Sequence, residues 1–165
     1  MLDCETELGK LFIEEQYRTQ DRLAEFGFVV INTPGKVGRA DVMLAKQVDG
    51  RLEMYGLAEI KSRLMAGNKP ITRQYLRDNG GYLISNSKLK FGQQASTMYN
   101  IPFFVIVSIM EENVILIWKI TDSSGAYTEE HETKQTSTKS TVNGGVSFRM
   151  NSFLSMDSKH LTTIE

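Results

Sequence analysis

Cysteine and proline are scarce in this chain, which has one cysteine, Cys4, and three prolines in 165 residues. A single cysteine cannot form an intramolecular disulfide or a structural zinc site, so disulfide-stapled and cysteine-ligated zinc proteins are excluded. The sequence also lacks a signal peptide and any apolar run long enough to cross a bilayer. We therefore expect a protein of the reducing cytoplasm with no membrane partner.

Net charge is also nearly absent, because 19 Lys and Arg stand against 20 Asp and Glu, a formal net charge of -1. This balance excludes a global positive field, so any nucleic-acid contact must come from local clustering. Between Lys61 and Lys90 there are seven bases and one acid, Asp78, a local excess of seven minus one, or +6. The residues of this stretch that we predict to contact a DNA backbone are Arg63, Lys69, Arg73, Arg77, Lys88 and Lys90.

Apolar side chains recur at three- and four-residue spacing in residues 3–26, which predicts an amphipathic helix ended by Gly27. Strands are predicted at 28–32 and 40–48, and Asp49-Gly50 turns the chain into a third strand that ends near Lys61. The remaining predicted elements are a helix from Pro70 to about residue 78, an apolar segment at 82–84, a helix at 89–99, a buried strand at 103–109 and its partner at 113–120.

The composition shifts toward Ser, Thr and Gly after residue 120, and Asn143-Gly144-Gly145 predicts the turn of a peripheral hairpin. A disordered tail is the alternative for this segment. A chain of this length suits one domain with its own core. We expect a single α/β domain with a mixed sheet over 1–165, with its core in 7–120 and the hairpin or tail in 121–165.

Glu59-Ile60-Lys61, at the end of the third predicted strand, is the most informative motif. Period two places Glu59 and Lys61 on one face of the strand and Ile60 on the other. Carboxylate oxygens bind hard cations, and a lysine beside them can stabilise a reacting phosphate or orient a water. With Asp41 upstream, the motif predicts a metal-dependent phosphodiesterase site, and the alternative is a surface ion pair that contributes little.

The position of Asp41 relative to Glu59 depends on the register of the hairpin. A strict two-residue turn at Asp49-Gly50 sets Asp41 opposite Ala58, so that its side chain points away from Glu59. A three-residue loop, a bulge or a bent strand start sets Asp41 opposite Glu59 instead. We therefore predict one of these irregularities.

The first helix supplies a further acid on its apolar stripe. Glu15 lies one turn beyond Leu11 on that stripe, whereas Glu14 is rotated from it by about 100 degrees. Two interpretations of Glu15 stay open. It either supports a metal site, as ligand or neighbour, or it lies at the edge of the core with its carboxylate in water.

The chain resembles the PD-(D/E)XK nuclease superfamily over about residues 7–120. The resemblance lies in the order of its parts, which are a helix, strands, Asp41, Glu59-Ile60-Lys61, a helix and two further strands. The matching acids and lysine are Asp41, Glu59 and Lys61, with Glu15 or, as the alternative, Glu14 on the opening helix. Alanine stands at position 40, where the superfamily's name has proline. The resemblance implies a restriction-endonuclease-like core of four to five strands flanked by helices, with Mg²⁺ or Mn²⁺ as cofactor.

Three later segments, at 82–89, 101–105 and 143–146, are similar to small members encoded by bacteriophages or prophages. That similarity implies the cytoplasm of a bacterial host. Small members often form homodimers that cut both strands, so the resemblance implies a homodimer beside DNA as a partner.

The function implied by the resemblance is a Mg²⁺-dependent DNA endonuclease. Asp41, Glu59 and the Ile60 carbonyl would bind the metal, Glu15 would support it, and Lys61 would act on the reacting phosphate. Junction or branched DNA in phage recombination, replication or packaging is the implied substrate. The alternatives are a non-catalytic nuclease-like accessory subunit and an RNA-directed nuclease, since backbone contacts do not distinguish the sugars.

Overall fold

The computed structural model describes residues 6–33, 40–138 and 147–165. Cys4, most of the predicted loop at 33–38 and the predicted turn at 143–145 lie outside these residues. In chain order, the helices and strands are α1 Glu7–Glu25, β1 Val29–Asn32, β2 Val42–Val48, β3 Arg51–Arg63, β4 Met65–Ala66, β5 Lys69–Pro70, α2 Arg73–Asp78, β6 Tyr82–Ser85, α3 Asn86–Tyr99, β7 Phe103–Ile109, β8 Val114–Lys119, β9 Glu132–Thr138, β10 Ser147–Leu154 and β11 Leu161–Ile164.

The fold is a mixed α+β arrangement built on a sheet of six strands in the order β1-β2-β3-β7-β8-β11. β3 and β7 pair in parallel, whereas the other neighbouring strands of this sheet are antiparallel. The mixed sheet was predicted, but it has one or two strands more than expected. The additional edge strand is β11, from the segment that the sequence assigned to a peripheral hairpin.

A second sheet has three strands in the order β6-β10-β9. β9 and β10 pair antiparallel, as expected of a C-terminal hairpin, and β10 also pairs with β6. Leu154 at the end of β10 is fully buried in the core. The C-terminal segment therefore completes both sheets and part of the core.

The main sheet has an apolar core on each face because alternate side chains of a strand point in opposite directions. On one face, here the α1 face, Leu23 of α1 packs with Ala58, Ile60 and Ile106. On the other, here the α3 face, Leu89 of α3 packs in the cluster that contains Val105 and Val107. All seven residues of β7 are buried, as the sequence predicts for a central strand.

The two longer predicted helices begin and end close to where the sequence placed them, and the short one does not. α2 begins at Arg73, where Thr72 accepts a hydrogen bond from the Tyr75 N–H at 3.0 Å, and not at Pro70. Pro70 instead lies in β5. A threonine N-cap satisfies a free N–H of the first turn, which outweighs the preference of proline for a helix start. No helix of the described residues is long and apolar enough to cross a membrane.

The β2–β3 hairpin contains the predicted irregularity, in the form of a bulge. Asp49 and Gly50 form a two-residue turn with positive φ at both, and Val48 pairs with Arg51. The register then shifts, because Ala45 pairs with Met54 while Leu44 pairs with Gly56, which leaves Tyr55 as the extra residue. Beyond the bulge Val42 pairs with Ala58, so the preceding residue, Asp41, comes opposite Glu59.

Candidate functional site

One ammonium group lies at the meeting point of three oxygens at the end of β3. The Nζ of Lys61 is 2.6 Å from Glu59 Oε1 and 3.2 Å from Asp41 Oδ2. It also donates a hydrogen bond to the Ile60 carbonyl at 3.0 Å. Asp41 is held in place because its Oδ2 accepts the Ile60 N–H at 2.9 Å. The bulge thus brings together the residues that the sequence singled out, and we call them the Asp41–Glu59–Lys61 cluster.

A second lysine, Lys88, belongs to this cluster, although the sequence assigned it to the DNA backbone. Its Nζ lies 2.9 Å from each carboxylate oxygen of Glu59. Lys88 stands in the first turn of α3, where the helix dipole disfavours a positive charge. That unfavourable position is the sequence signal that could have indicated a carboxylate partner.

The cluster is electrically balanced, with two carboxylates and two ammonium groups. The Glu59 side chain is 1% exposed, whereas those of Lys61 and Lys88 are 35% and 36% exposed. Burial by itself lowers the pKa of Lys61, but the charges and hydrogen bonds of Glu59 and Asp41 outweigh that effect and raise it. Lys61 therefore stays protonated, and the buried Glu59 side chain lies against two cations, Lys61 and Lys88.

The donor set of the cluster fits a small hard cation. Within the described residues Glu59 Oε1 is buried and accepts no hydrogen bond of good geometry, even though two ammonium groups lie within 3 Å of it. Two carboxylates and a carbonyl are oxygen ligands of the kind that Mg²⁺ and Mn²⁺ prefer, with waters and substrate completing the shell. The described part of the chain holds no group of three or more His, Cys, Asp or Glu suited to a metal ion.

The acid predicted on the first helix lies on the other face of the sheet. Glu15 is buried, and its Oε1 accepts a hydrogen bond from the Ser108 hydroxyl at 2.6 Å. Ser108 pairs with Ser62, which points opposite to Lys61 along β3. Arg18 lies 3.6 Å from the other oxygen of Glu15. These contacts set Glu15 apart from the cluster, and Glu14 is exposed.

One edge of β3, near its end, is not paired with another strand of the described residues. β2 pairs with β3 only as far as Ala58, so no strand of the described residues lies beside residues 59–63 on that edge. A groove of about 520 Å³ occupies the opening, bounded by Phe12 and Gln16 of α1 and by Lys61. Of the cluster, Lys61 lines this groove, whereas Asp41 and Glu59 are not among its described lining residues.

Apart from Arg63, the predicted DNA-contacting residues outside the cluster fall into two groups. Lys69, Arg77 and Lys90 are exposed. Arg73 instead lies 3.0 Å from Glu112, and 2.5 Å from Glu165.

Arg63 is half-buried and differs from both groups. Its guanidinium carbon is 5.4 Å from the centre of the Tyr82 ring, and its Nη1 donates to the Ser62 carbonyl at 2.9 Å. The positive charge of the 61–90 stretch is partly neutralised in the folded protein. Lys61 and Lys88 pair with Glu59, and Arg73 pairs with Glu112, and both acids lie outside the stretch.

Comparison of the chain with family models, with curated proteins and with solved structures finds no match. The resemblance to PD-(D/E)XK nucleases therefore depends on the motif residues and their order along the chain. What the cluster can do has to be inferred from its own chemistry. That chemistry consists of two carboxylates, one carbonyl and two lysines at an accessible end of a strand.

Proposed function

We propose that the chain is a divalent-cation-dependent nuclease that hydrolyses phosphodiester bonds in DNA. The observation that carries the proposal is the convergence of Asp41, Glu59 and the Ile60 carbonyl on one cation, the Lys61 ammonium. Three oxygens that surround one positive charge can surround another. In this proposal the three oxygens would hold Mg²⁺ or Mn²⁺ in place of the ammonium, and Lys61 would turn to the phosphate.

Asp41, Glu59 and the Ile60 carbonyl would hold the ion. When bound there, the ion supplies Lewis-acid chemistry that activates water and stabilises charge on the phosphate. Asp41 is prepared for this role because the Ile60 N–H fixes the orientation of its carboxylate. Glu59 is prepared because the Lys88 ammonium, 2.9 Å from its oxygens, fixes its carboxylate in a buried position.

Lys61 would then contribute positive charge where the transition state develops negative charge. Its ammonium is protonated at neutral pH, and it lines the groove from which a strand would approach the cluster. A preorganised cation beside the scissile phosphate stabilises the transition state more than the ground state. Lys69, Arg77 and Lys90 would hold the backbone through nonspecific contacts.

One observation favours a second function, that of a non-catalytic nuclease-like DNA-binding or accessory subunit. The ammonium of Lys61 fills the cation position, and the paired charges balance without a metal. A cluster of this kind can be a purely structural ion-pair network. The two functions differ in what a divalent cation does to the protein.

The deciding assay incubates purified protein with labelled linear duplex, branched and single-stranded DNA, and with a matched RNA. Each substrate is incubated with Mg²⁺, with Mn²⁺ and with a chelator. We expect DNA cleavage only with the metals, and a loss of at least about 100-fold in Asp41→Asn, the scale of removing one electrostatic group from an active site. Glu132→Gln is the matched control, since Glu132 is an exposed acid that pairs with Lys134 on β9.

Absence of cleavage on every substrate, or equal cleavage by Asp41→Asn and the wild type, would refute the nuclease. Cleavage of the RNA alone would support the cluster as the active site of a nuclease but would show that the substrate is RNA. DNA binding without cleavage and without any metal effect would support the accessory subunit.

A further inference from the structure

A second groove, of about 340 Å³, lies on the α1 face of the main sheet, beside the end of α1. Its floor includes Leu44 and Phe104, which belong to the α1-face core. The Asp41–Glu59–Lys61 cluster is on the α3 face, so the two sites do not share side chains. We call this second site the aromatic-lysine groove, after the residues on which its chemistry depends: Phe26, Phe28, Tyr55, Phe104, Lys46, Lys119 and Lys159.

Aromatic rings form one wall of the aromatic-lysine groove. Tyr55 stacks on Phe104 with ring centroids 5.5 Å apart and planes 15° apart, and its edge meets Phe28 at 5.1 Å. Phe26, just past the end of α1, is 57% exposed. Within the described residues Phe26 has no aromatic partner, so a flat ring can stack on it.

Lysines form the rest of the rim. The ammonium of Lys46 lies 4.3 Å from the Tyr55 ring centroid and 4.8 Å from that of Phe28. Lys119 and Lys159 also line the groove. None of these three lysines forms an ion pair with an acid among the residues that the structure describes.

Acidic side chains do not line this groove in the described part of the chain. In the β2–β3 hairpin, the residue opposite Lys46 is an acid, Glu53. Its carboxylate is beyond ion-pair distance from the ammonium, and Glu53 is exposed. Three unpaired positive charges around aromatic rings favour a ligand that is both anionic and aromatic.

We propose that the aromatic-lysine groove binds a single-stranded nucleic-acid segment. One base stacks on Phe26, and the flanking phosphates lie against Lys46, Lys119 and Lys159. Aromatic platforms with cationic rims are the usual means of binding single strands without sequence preference. A duplex is a poor occupant because its bases are paired and stacked inside the helix, out of reach of Phe26.

This inference does not depend on cleavage, because the groove and the cluster lie on opposite faces. It is tested in a chelator, so that metal-dependent chemistry is absent. The probe is a fluorescent oligothymidylate of about 12 nucleotides, within the usual size of single-strand sites. Affinity is measured by fluorescence anisotropy over a series of salt concentrations.

Two variants separate the charges from the ring. Lys119→Ala/Lys159→Ala should weaken binding at least about tenfold and should flatten the plot of log affinity against log salt by about 1.4, since each single-strand contact contributes about 0.7. Phe26→Ala should weaken binding about five- to 150-fold with the same slope as the wild type. Lys10→Ala/Lys134→Ala removes two exposed lysines elsewhere and is the matched control.

Four results would overturn the inference. The first is a Lys119→Ala/Lys159→Ala variant that binds like the control. The second is an abasic oligonucleotide of the same length that competes as well as the oligothymidylate, which would reduce the groove to a basic patch. The third is an unlabelled duplex that competes as well as the single strand. A free mononucleotide that binds as tightly as the oligonucleotide would also contradict it, because only one phosphate would then be recognised.

Discussion

The Asp41–Glu59–Lys61 cluster and the aromatic-lysine groove contain similar numbers of lysines but differ in how those lysines are paired. In the cluster, Lys61 and Lys88 meet Glu59 at 2.6 and 2.9 Å, and the acid is buried. In the groove, Lys46 stands over aromatic rings, and among the described residues none of the three lysines has an acid within ion-pair distance. Paired charges beside a buried acid suit the exchange of one cation for another, whereas unpaired charges suit the capture of an anion.

One bulge shapes both regions. By adding Tyr55 to β3, it brings Asp41 opposite Glu59 on the α3 face and stacks the Tyr55 ring on Phe104 of the α1 face. The next residue, Gly56, has to be small, because a Cβ there would lie 2.5 Å from the Phe104 ring. A single irregularity in the hairpin therefore produces the acid pair and the aromatic wall together.

Replacing Lys61 should give the largest difference between the effect on DNA cleavage and the effect on oligothymidylate binding. We expect Lys61→Ala to slow DNA cleavage by about 10²- to 10³-fold, because the ammonium stabilises charge in the transition state. Oligothymidylate binding in chelator should change by less than about twofold. Lys119→Ala is the matched change in the groove and should have the reverse pattern, with weaker binding and normal cleavage at saturating DNA. Near-normal turnover in Lys61→Ala would show that the lysine is only an ion-pair partner.

Replacing Lys88 tests whether the cluster depends on its pairing for stability. Lys88→Met removes a charged donor from buried Glu59, and we expect the free energy of unfolding to fall by about 1 to 3 kcal/mol in chelator. Mg²⁺ should restore more stability to this variant than to the wild type, since the cation replaces the lost positive charge. Urea unfolding with and without Mg²⁺ measures both effects. Lys90→Ala, an exposed lysine on the same helix, should change neither.

Alanine replacement of the two arginines of α2 should have different effects, because one is paired with acids and the other is exposed. Arg77 is exposed, so Arg77→Ala should flatten the salt dependence of duplex binding by about 0.9, the value of one phosphate contact. Arg73 pairs with Glu112 and Glu165, so Arg73→Ala should instead lower stability by up to about 1 kcal/mol. Salt titration of duplex affinity and urea unfolding of both variants test this contrast. Equal slopes for the two variants would show that pairing does not decide which arginine meets DNA.

The smallest expected effect is a pH dependence of stability at the alkaline end. The pKa of Lys61 is raised in the folded protein above its ordinary value of 10.5. The stabilisation from its pairing is therefore complete below pH 10.5 and is lost as the pH rises through the raised pKa. The stability difference between the wild type and Lys61→Met should shrink over that window. A difference that stays constant from neutral pH to above pH 10.5 would contradict the ion pairing.

Residue patterns along the chain predicted most of the main elements and the meeting of Asp41 with Glu59. The period of the apolar residues located α1, and a continuous apolar run located β7. The expected meeting of Asp41 with Glu59 required an irregularity in a hairpin that turns at Asp49-Gly50. These features are local, so they can be deduced from neighbouring residues. The bulge itself could not be placed at Tyr55, because the choice of site depends on the contact with Phe104.

Long-range pairings were not predictable in the same way. Glu59 and Lys88 are 29 residues apart, and Arg73 and Glu165 are 92 apart. No periodicity links such positions, so the basic stretch looked uniform in sequence although part of it is neutralised in space. The same reason applies to β11, which joins an edge of the main sheet that the sequence does not specify.

Mn²⁺ binding to the DNA-free protein, followed through the electron paramagnetic resonance signal of free Mn²⁺, tests the central claim most directly. The claim is that a divalent cation exchanges with the Lys61 ammonium among the oxygens of Asp41, Glu59 and Ile60. We predict one site in the wild type, binding at least about tenfold weaker in Asp41→Asn, and tighter binding in Lys61→Met, because the competing charge is gone. Unchanged affinity in Asp41→Asn, or weaker affinity in Lys61→Met, would contradict it.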